Sequence, residues 1–427
     1  TPLNVAWAWP EAGAPGGSHP GIRSLCSRIA REWRGLDAAG SALELGAAFL
    51  DGVLPDIWQA ARGEPETGGV PWQAVLLCAA AFDLALHDAF GKAEGLPTYR
   101  TYNADYLGSD LSAYFADEAR RFRGKYPADY VRAEPPKRIP VWHLVGCADA
   151  VEEQGAPAGG DTRAPREAGG AGVSGHRTAE PTPAGARGFP TTLVEWIRSD
   201  GIKRFKVKLC GSSLEWDSTR VQAVGRLAEQ AGAEAIFVDF NGTAPNVDYV
   251  VELLSRLSRE APATYELLRY VEQPFAPGAE VSHHELRRIT AQKPVFLDES
   301  ATTWQDVRRA FHEGYSGVVL KTCKTQTSAM LSLAWAREHG MEVAVADLTN
   351  PMLAQISHVL LGAHASPELG VESNSMQFYP DASMAEAQVH PGVYRRRNGM
   401  LDLSSISGPG FGYRIEEIRR RLPERAA

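Results

Sequence analysis

The feature that most constrains the fold is a regular succession of short apolar runs in the second half of the chain. Seven such runs each end in a charged residue, and they cover residues 205–208, 235–239, 268–272, 295–298, 317–321, 342–347 and 369–372. Amphipathic stretches lie between the runs, as at 216–231, 247–259 and 327–339. A buried strand that alternates with an amphipathic helix at this spacing is the βα unit. The pattern therefore predicts a βα repeat.

An eighth apolar run, residues 139–145, precedes the other seven. Eight parallel strands that alternate with helices close into a (β/α)₈ barrel of the TIM type, with its chemistry at the carboxyl ends of the strands. Charged residues are costly in the middle of a sheet but not at the rim of a barrel. The competing fold is a doubly wound open sheet, but no Gly-x-Gly-x-x-Gly follows an early strand. We therefore predict an α/β protein built on the barrel.

The 427 residues suit about two domains. Helical periodicity before the barrel covers 22–33, 42–60 and 72–90. We predict an α+β capping domain over residues 1–135 and a barrel over 136–384, with residues 385–427 packing back on the cap. Residues 148–187 are mostly Ala, Gly, Pro and charge, so we expect a flexible insertion that is poorly ordered without ligand.

Composition narrows the range of partners. The net charge is −8 and no basic run is present, which argues against nucleic acid. No uninterrupted apolar run approaches the roughly 20 residues that a membrane span needs. The five cysteines are scattered without metal-binding spacing, and the first residues do not resemble a signal peptide. We therefore expect a cytoplasmic protein that associates with neither membranes nor nucleic acid.

Three consecutive runs end in the carboxylates Asp239, Glu272 and Asp298. Neighbouring strands lie about 4.8 Å apart, so these groups should converge at the barrel mouth. Carboxylates that close cannot all remain ionised without a cation, and an all-oxygen set favours Mg²⁺, with Mn²⁺ as a second choice. The alternative is that each is a solvated strand end.

Lysines flank this acidic trio. Lys206 and Lys208 end the preceding run on one face of their strand, and Lys321 ends the following run. They are candidate catalytic residues, because nearby cations favour a neutral amine that can take a proton. The alternative is a set of ion-paired rim lysines. We expect the neighbouring Lys324 to be solvated.

Five short motifs on successive runs give a resemblance to a known family. They are Lys206-Val-Lys208, Val238-Asp239-Phe240-Asn241, Val271-Glu272-Gln273-Pro274, Leu297-Asp298-Glu299-Ser300 and Val319-Leu320-Lys321. In this order they resemble the enolase superfamily, specifically its muconate-lactonizing-enzyme-like branch within the mandelate racemase/muconate lactonizing enzyme family. The resemblance extends over about residues 70 to 415, apart from the insertion.

The resemblance implies roles for the residues that match. Asp239, Glu272 and Asp298 would bind Mg²⁺, while Lys208 and Lys321 would act as acid and base on opposite faces of the substrate. The activity implied is removal of the proton next to a carboxylate to give an enolate, a type of site that general accounts of this superfamily describe.

The substrate itself is not specified by these motifs. The seventh run lacks the Asp-x-Asp of dipeptide epimerases, and no His follows it as in mandelate racemase. Asn241, Asp347 and Glu372 are our candidate substrate-binding residues, although Asp347 is equally suited to cap a helix beginning near Pro351 or to pair with a rim lysine.

The expected reaction is racemisation, epimerisation or cycloisomerisation of a small carboxylic acid through this enolate. Two bases suit a racemase best, since each face needs its own. The alternatives are an acid-sugar or hydroxy-acid dehydratase, a Schiff-base lysine lyase and a non-enzymatic binding barrel. We also expect a homo-oligomer.

Overall fold

The computed structural model describes residues 8–9, 20–151, 189–366 and 368–420. Most of the predicted insertion, residues 152–187, lies outside these described residues. The expectation that it is flexible therefore stays a prediction.

Eight parallel strands form the centre of the molecule, as the sequence predicts. They are β1 (Arg138–Val145), β2 (Arg204–Lys208), β3 (Ala235–Asp239), β4 (Leu268–Glu272), β5 (Val295–Leu297), β6 (Gly317–Leu320), β7 (Glu342–Val345) and β8 (Val371–Glu372). Hydrogen-bonded pairing runs from β7 through β6 to β1 and then to β8, and β8 contacts β7 to close the barrel. The fold is thus a (β/α)₈ barrel, and its strands differ from the predicted runs by no more than two residues at either end.

Helices connect the strands on the outside of the barrel. They are α6 (Leu193–Asp200), α7 (Leu214–Gln230), α8 (Val247–Glu260), α9 (Pro262–Leu267), α10 (His283–Thr290), α11 (Trp304–Glu313), α12 (Gln326–Glu338) and α13 (Leu353–Ala365). Side chains cap most of these helices. Ser213, Asn246 and Thr303, for example, each accept a backbone N–H three residues later, which fixes where the strand-to-helix loops end.

Aromatic side chains fill the barrel below its mouth. The Tyr270 ring stacks on Phe296 at 4.1 Å between centroids and on Phe237 at 4.4 Å. Because side chains alternate along a strand, the residues two positions further on point to the same interior. These aromatic side chains therefore form an apolar layer directly below the polar residues at the carboxyl ends of the strands.

The N-terminal region is helical where it is described. Its helices are α1 (Pro20–Gly35), α2 (Ala42–Ala48), a π-helix (Phe49–Val53), α3 (Leu54–Arg62), α4 (Trp72–Ala93) and α5 (Ala119–Phe122). Residues 20–137 contain no strand, so the helical part of the predicted α+β cap is present while its strands are not found in this range.

The helix predicted over residues 42–60 is present as one continuous helical stretch, residues 42–62, with a π-helix in its middle. Pro55 has no N–H to donate, and the Leu54 N–H bonds to the Phe49 carbonyl five residues back. This widens one turn into the π-helix.

The C-terminal segment returns to the N-terminal region. After α14 (Ser375–Phe378) and α15 (Met384–Val389), β9 (Met400–Asp402) pairs antiparallel with β1. The Thr98 N–H then donates to the Gly410 carbonyl at 2.8 Å, and the Phe411 N–H donates to Asp88 Oδ1 at 2.8 Å. These contacts agree with the predicted packing of the C-terminus on the cap, whose boundaries remain predictions.

Helix α4 joins the N-terminal region to the barrel. It is long and apolar enough to cross a membrane by length and composition, but 56% of its apolar window is buried inside the protein. Its buried Asp83 accepts hydrogen bonds from both the hydroxyl (2.7 Å) and the N–H (3.0 Å) of Thr327 at the start of α12. His87 lies 2.9 Å from the same hydroxyl. A buried polar network therefore ties α4 to the helix that follows β6.

Replacing Thr327 by Val is expected to destabilise the protein by about 1–3 kcal/mol, because the buried Asp83 Oδ1 and His87 Nε2 both lose the hydroxyl that they contact, while the N–H donated to Asp83 remains. The measurement is the free energy of unfolding from urea titration. The matched control is Thr290→Val at the half-buried end of α10, which should change the stability little. Equal stabilities for the two variants would contradict the proposed importance of the network.

Candidate active site

The register of the sheet places the predicted site residues at the same height along the barrel axis. Lys208 is paired with Asp239 and Asp239 with Glu272 across β2, β3 and β4. Asp298 and Lys321 follow directly after β5 and β6. In an eight-stranded barrel β2 and β6 lie on opposite sides, so the two lysines face each other across the mouth with the three carboxylates on the strands between them.

Lys206 lies at the floor of the mouth and is fully buried. Its Nζ is 2.7 Å from Glu272 Oε1, 2.8 Å from Glu372 Oε2 and 3.0 Å from Asp239 Oδ2. Burial lowers the pKa of Lys206, but these carboxylates outweigh burial and raise the pKa well above its usual value. Lys206 is therefore a fixed positive charge that holds three strand ends together.

Lys208 is more accessible than Lys206. Its Nζ donates to Asp239 Oδ2 at 2.5 Å and to Asn241 Oδ1 at 2.6 Å, and 18% of its side chain is exposed. Asn241 in turn donates its Nδ2 to Glu299 Oε1 at 3.0 Å. The predicted substrate-binding residue Asn241 thus contacts the ammonium of Lys208, with its amide oriented by Glu299.

Lys321 lies on the other side and contacts Asp298 Oδ2 at 2.7 Å. The expectation that Lys324 is solvated is wrong. A 3₁₀ turn over Thr322–Lys324 carries its side chain back into the protein, where Nζ donates to Asp298 Oδ1 at 3.0 Å and to the carbonyls of Asp298 and Ala301. Asp298 is therefore held by two ammonium groups.

The three carboxylates are fully buried and electrostatically coupled. Burial and then the negative charge of Asp239 raise the pKa of Glu272 well above its usual value. For Asp239 the opposing charges of Lys206 and Lys208 outweigh burial and lower the pKa to about 2. The lysines outweigh burial at Asp298 as well and lower its pKa. Glu272 is thus the carboxylate whose negative charge has the least compensation.

The donor chemistry of this trio fits a hard divalent cation. The three carboxylates offer six oxygen atoms as possible ligands, and Glu272 Oε2 is buried with no hydrogen-bond partner in the described residues. Within the same residues, no group of three or more His, Cys, Asp or Glu side chains already has the spacing of a metal site. The Lys206 ammonium lies between Asp239 and Glu272 and takes the place of a cation there.

The ends of β7 and β8 are linked to each other. Asp347 Oδ2 accepts the N–H of Asn374 at 3.0 Å, and Glu372 Oε1 accepts from Asn374 Nδ2 at 2.8 Å. The suggestion that Asp347 caps the next helix is wrong, because α13 begins after Met352, without a side-chain cap. Asp347 instead holds the segment that follows β8 in place, by accepting the N–H of Asn374.

Gln273 and Glu299 are site residues that the sequence reasoning missed. Gln273 Oε1 accepts the N–H of Asp298 at 2.9 Å and the N–H of Ser300 at 3.2 Å, with the Gln273 backbone at φ 36°. Both residues directly follow predicted metal ligands. That position in the motifs is the signal that could have identified them.

Comparison with known proteins agrees with this architecture. Residues 190–419 match the family described as enolase C-terminal domain-like. A comparison with curated protein sequences finds no significant match.

Solved structures of similar fold include a mandelate racemase/muconate lactonizing protein from Herpetosiphon aurantiacus, which is 18% identical with a TM-score of 0.54 and coverage of 94% of this chain and 85% of that one. A dipeptide epimerase from Enterococcus faecalis V583, complexed with Mg and L-Leu-L-Tyr, is 14% identical with a TM-score of 0.55 and coverage of 93% and 84%. A muconate cycloisomerase from Pseudomonas fluorescens is 17% identical with a TM-score of 0.50 and coverage of 86% of each chain.

At these sequence identities, the similarity to the solved structures shows a shared fold and nothing further. The family match extends over more than half of the chain and includes strands β2 to β8, on which the motifs lie. The chain therefore belongs to the enolase C-terminal domain-like family of the enolase superfamily, as the resemblance of its motifs predicts.

Proposed function

We propose that this protein is a Mg²⁺-dependent enzyme that removes the proton next to a carboxylate, most simply as a racemase, epimerase or cycloisomerase of a small carboxylic acid. One observation carries the proposal. Lys208 ends β2 and Lys321 follows β6 on the opposite side of the barrel, and the carboxylates of three intervening strands lie between them. A substrate bound between the lysines would present one face to each.

Asp239, Glu272 and Asp298 would hold the metal ion, with Mg²⁺ preferred and Mn²⁺ a substitute. A bound divalent cation supplies fixed positive charge where negative charge develops on the substrate carboxylate. Lys208 and Lys321 are each ion-paired with one of these carboxylates, Asp239 and Asp298.

The lysines would then divide the proton transfers. Lys208 Nζ would take or return a proton on the β2 side, and Lys321 Nζ would do so on the β6 side. Lys206 remains buried against Glu372 and contributes a constant positive charge. Two bases on opposite sides favour inversion at the α-carbon over elimination, which needs a base on one face only.

The test is a screen for α-proton exchange in D₂O with Mg²⁺ over a library of carboxylic acids, followed by NMR. We expect deuterium to appear at the α-carbon of one substrate class. The control is the double variant Lys208→Ala/Lys321→Ala. Exchange that is undiminished in this variant would overturn the proposal.

Glu299 should act on this reaction through Asn241. Glu299→Leu removes the acceptor that orients the Asn241 amide, so we expect exchange on the Lys208 face to slow by about tenfold, the equivalent of about 1.4 kcal/mol. Glu299→Gln keeps an acceptor oxygen and should restore most of the rate. Exchange on the Lys321 face is the internal control, and equal slowing on both faces would contradict this positioning role.

A further inference from the structure

A cavity of about 480 Å³ lies in the helical layer, outside the barrel wall. Helix α6 forms one side of it, and the segments containing α14 and α15 form the other. We call it the α6 cavity. Its volume falls in the range of pockets that hold small molecules, about 300–1,000 Å³. None of the lysines or carboxylates of the barrel mouth lines it.

The walls of the α6 cavity are largely aromatic and apolar. Trp196 from α6 lies on one side, and Met376, Tyr379 and Tyr394 lie on the other. Such side chains give a ring-shaped ligand large contact areas and edge or face packing. The walls therefore suit an aromatic group better than a polar chain.

Arg396 provides the polar feature of this cavity. It is only 1% exposed, and its Nε donates to Asp200 Oδ2 at 2.8 Å. Its Nη1 lies 3.0 Å from His143 Nδ1 and 3.1 Å from Gln377 Oε1. Its Nη2 is buried without a hydrogen-bond partner in the described residues. A buried N–H group left unpaired costs about 1–3 kcal/mol, so this guanidinium has donor capacity for a ligand.

The charge of the lining is positive. Its charged members are Asp200, Arg395 and Arg396, so one arginine charge exceeds the acidic charge. Burial and then the Arg396 charge lower the pKa of His143 well below its usual value, which leaves the imidazole neutral. The guanidinium carbon of Arg396 also lies 4.8 Å from the centroid of the Trp196 ring. An anionic group is therefore favoured next to the aromatic wall.

We propose that the α6 cavity is a second small-molecule site, which binds an aromatic monocarboxylate. The carboxylate accepts from Arg396 Nη2, and the ring packs against Trp196. This inference does not rest on the proposed function, since the site shares no residue with the barrel mouth. The competing occupant is an ordered water molecule at Nη2.

The experiment is isothermal titration of the Mg²⁺-supplemented full chain with phenylacetate, with its neutral analogue phenylacetamide as the second probe. We expect phenylacetate to bind at least about tenfold more tightly than the amide, because only the acid offers a charge-assisted hydrogen bond. Binding that is equal for the two probes, or absent at about 10 mM, would mean that the cavity holds water only.

Variants separate this site from the barrel mouth. Ala387→Trp fills the α6 cavity and should weaken phenylacetate binding at least about tenfold, whereas Ala385→Trp, on the same helix but outside the lining, should not. Arg396→Gln should abolish the preference for the acid, and Arg397→Gln, at an exposed position outside the lining, is its matched control. If Arg396→Gln fails to fold, the Ala387 and Ala385 pair still decides the matter.

Asp298→Asn, in the barrel mouth, should leave this binding unchanged. Binding that is lost in Asp298→Asn but retained in Ala387→Trp would locate the probe in the barrel and overturn the proposal. The exchange screen is a separate measurement, so either proposal can fail without the other.

Discussion

Replacing Asp298 by Asn is expected to abolish metal binding and to slow α-proton exchange by about a thousandfold, the equivalent of about 4 kcal/mol. Asp298 is fully buried and is contacted by Lys321 at 2.7 Å and by Lys324 at 3.0 Å. The amide keeps the shape of the side chain but removes its negative charge. A divalent cation would then have one anionic ligand fewer, while the positive charges of Lys321 and Lys324 nearby would remain and repel it.

Mg²⁺ binding can be followed by calorimetry, and a Mn²⁺ titration followed by electron paramagnetic resonance gives an independent readout. The matched control is Asp248→Asn, because Asp248 is 77% exposed and pairs with Arg288 at the surface. The melting temperature of each variant separates loss of the metal from loss of the fold. Metal affinity equal to that of the unmodified protein, or full activity in excess EDTA, would contradict the assignment of Asp298.

The strand ends could be predicted because each apolar run stops at a charged residue. A charge inside a buried strand is costly unless it is paired, so the charged residues Lys208, Asp239 and Glu272 mark both the end of a strand and a position at the mouth. Lys206, two residues before the end of β2, is buried and is paired with carboxylates of three neighbouring strand ends. The same physical constraint gives the fold and the candidate site, which explains why both follow from one pattern.

Residues that return from a loop could not be placed in this way. Lys324 has no periodic context, and its burial depends on the 3₁₀ turn after β6, which brings Nζ to the carbonyls of Asp298 and Ala301. The π-helix inside the predicted 42–60 helix likewise depends on how one turn of the chain widens before Pro55. A local sequence pattern does not show where a loop folds back against the rest of the protein.

The α6 cavity is the clearest example of a long-range feature. Asp200 and Arg396 pair across 196 positions in the sequence, and His143 joins them from β1. No motif connects these residues, because their proximity results from barrel closure and from the return of the C-terminal segment along β1. Sites formed in this way become visible only in the folded structure.

Replacing Lys208 by Ala should eliminate α-proton exchange for one enantiomer of a chiral substrate, and replacing Lys321 by Ala should eliminate it for the other. Lys208 ends β2 and Lys321 follows β6 on the opposite side of the barrel, so each lysine can reach one face of a substrate held between them. Loss of a positioned base lowers the rate by about a hundredfold to ten-thousandfold. The exchange that remains on the opposite face shows that metal and substrate still bind.

Exchange rates of both enantiomers in D₂O, measured for each variant with saturating Mg²⁺, provide the test. Lys92→Ala is the matched control, because Lys92 is 41% exposed on α4 and lies outside the barrel mouth. Each lysine variant also removes one ammonium group from a carboxylate, Asp239 or Asp298. The Mg²⁺ affinity of each variant must therefore be measured together with its exchange rates. If both variants lost exchange of the same enantiomer while retaining the metal, the lysines could not act on opposite faces, and a one-base reaction such as dehydration would replace racemisation.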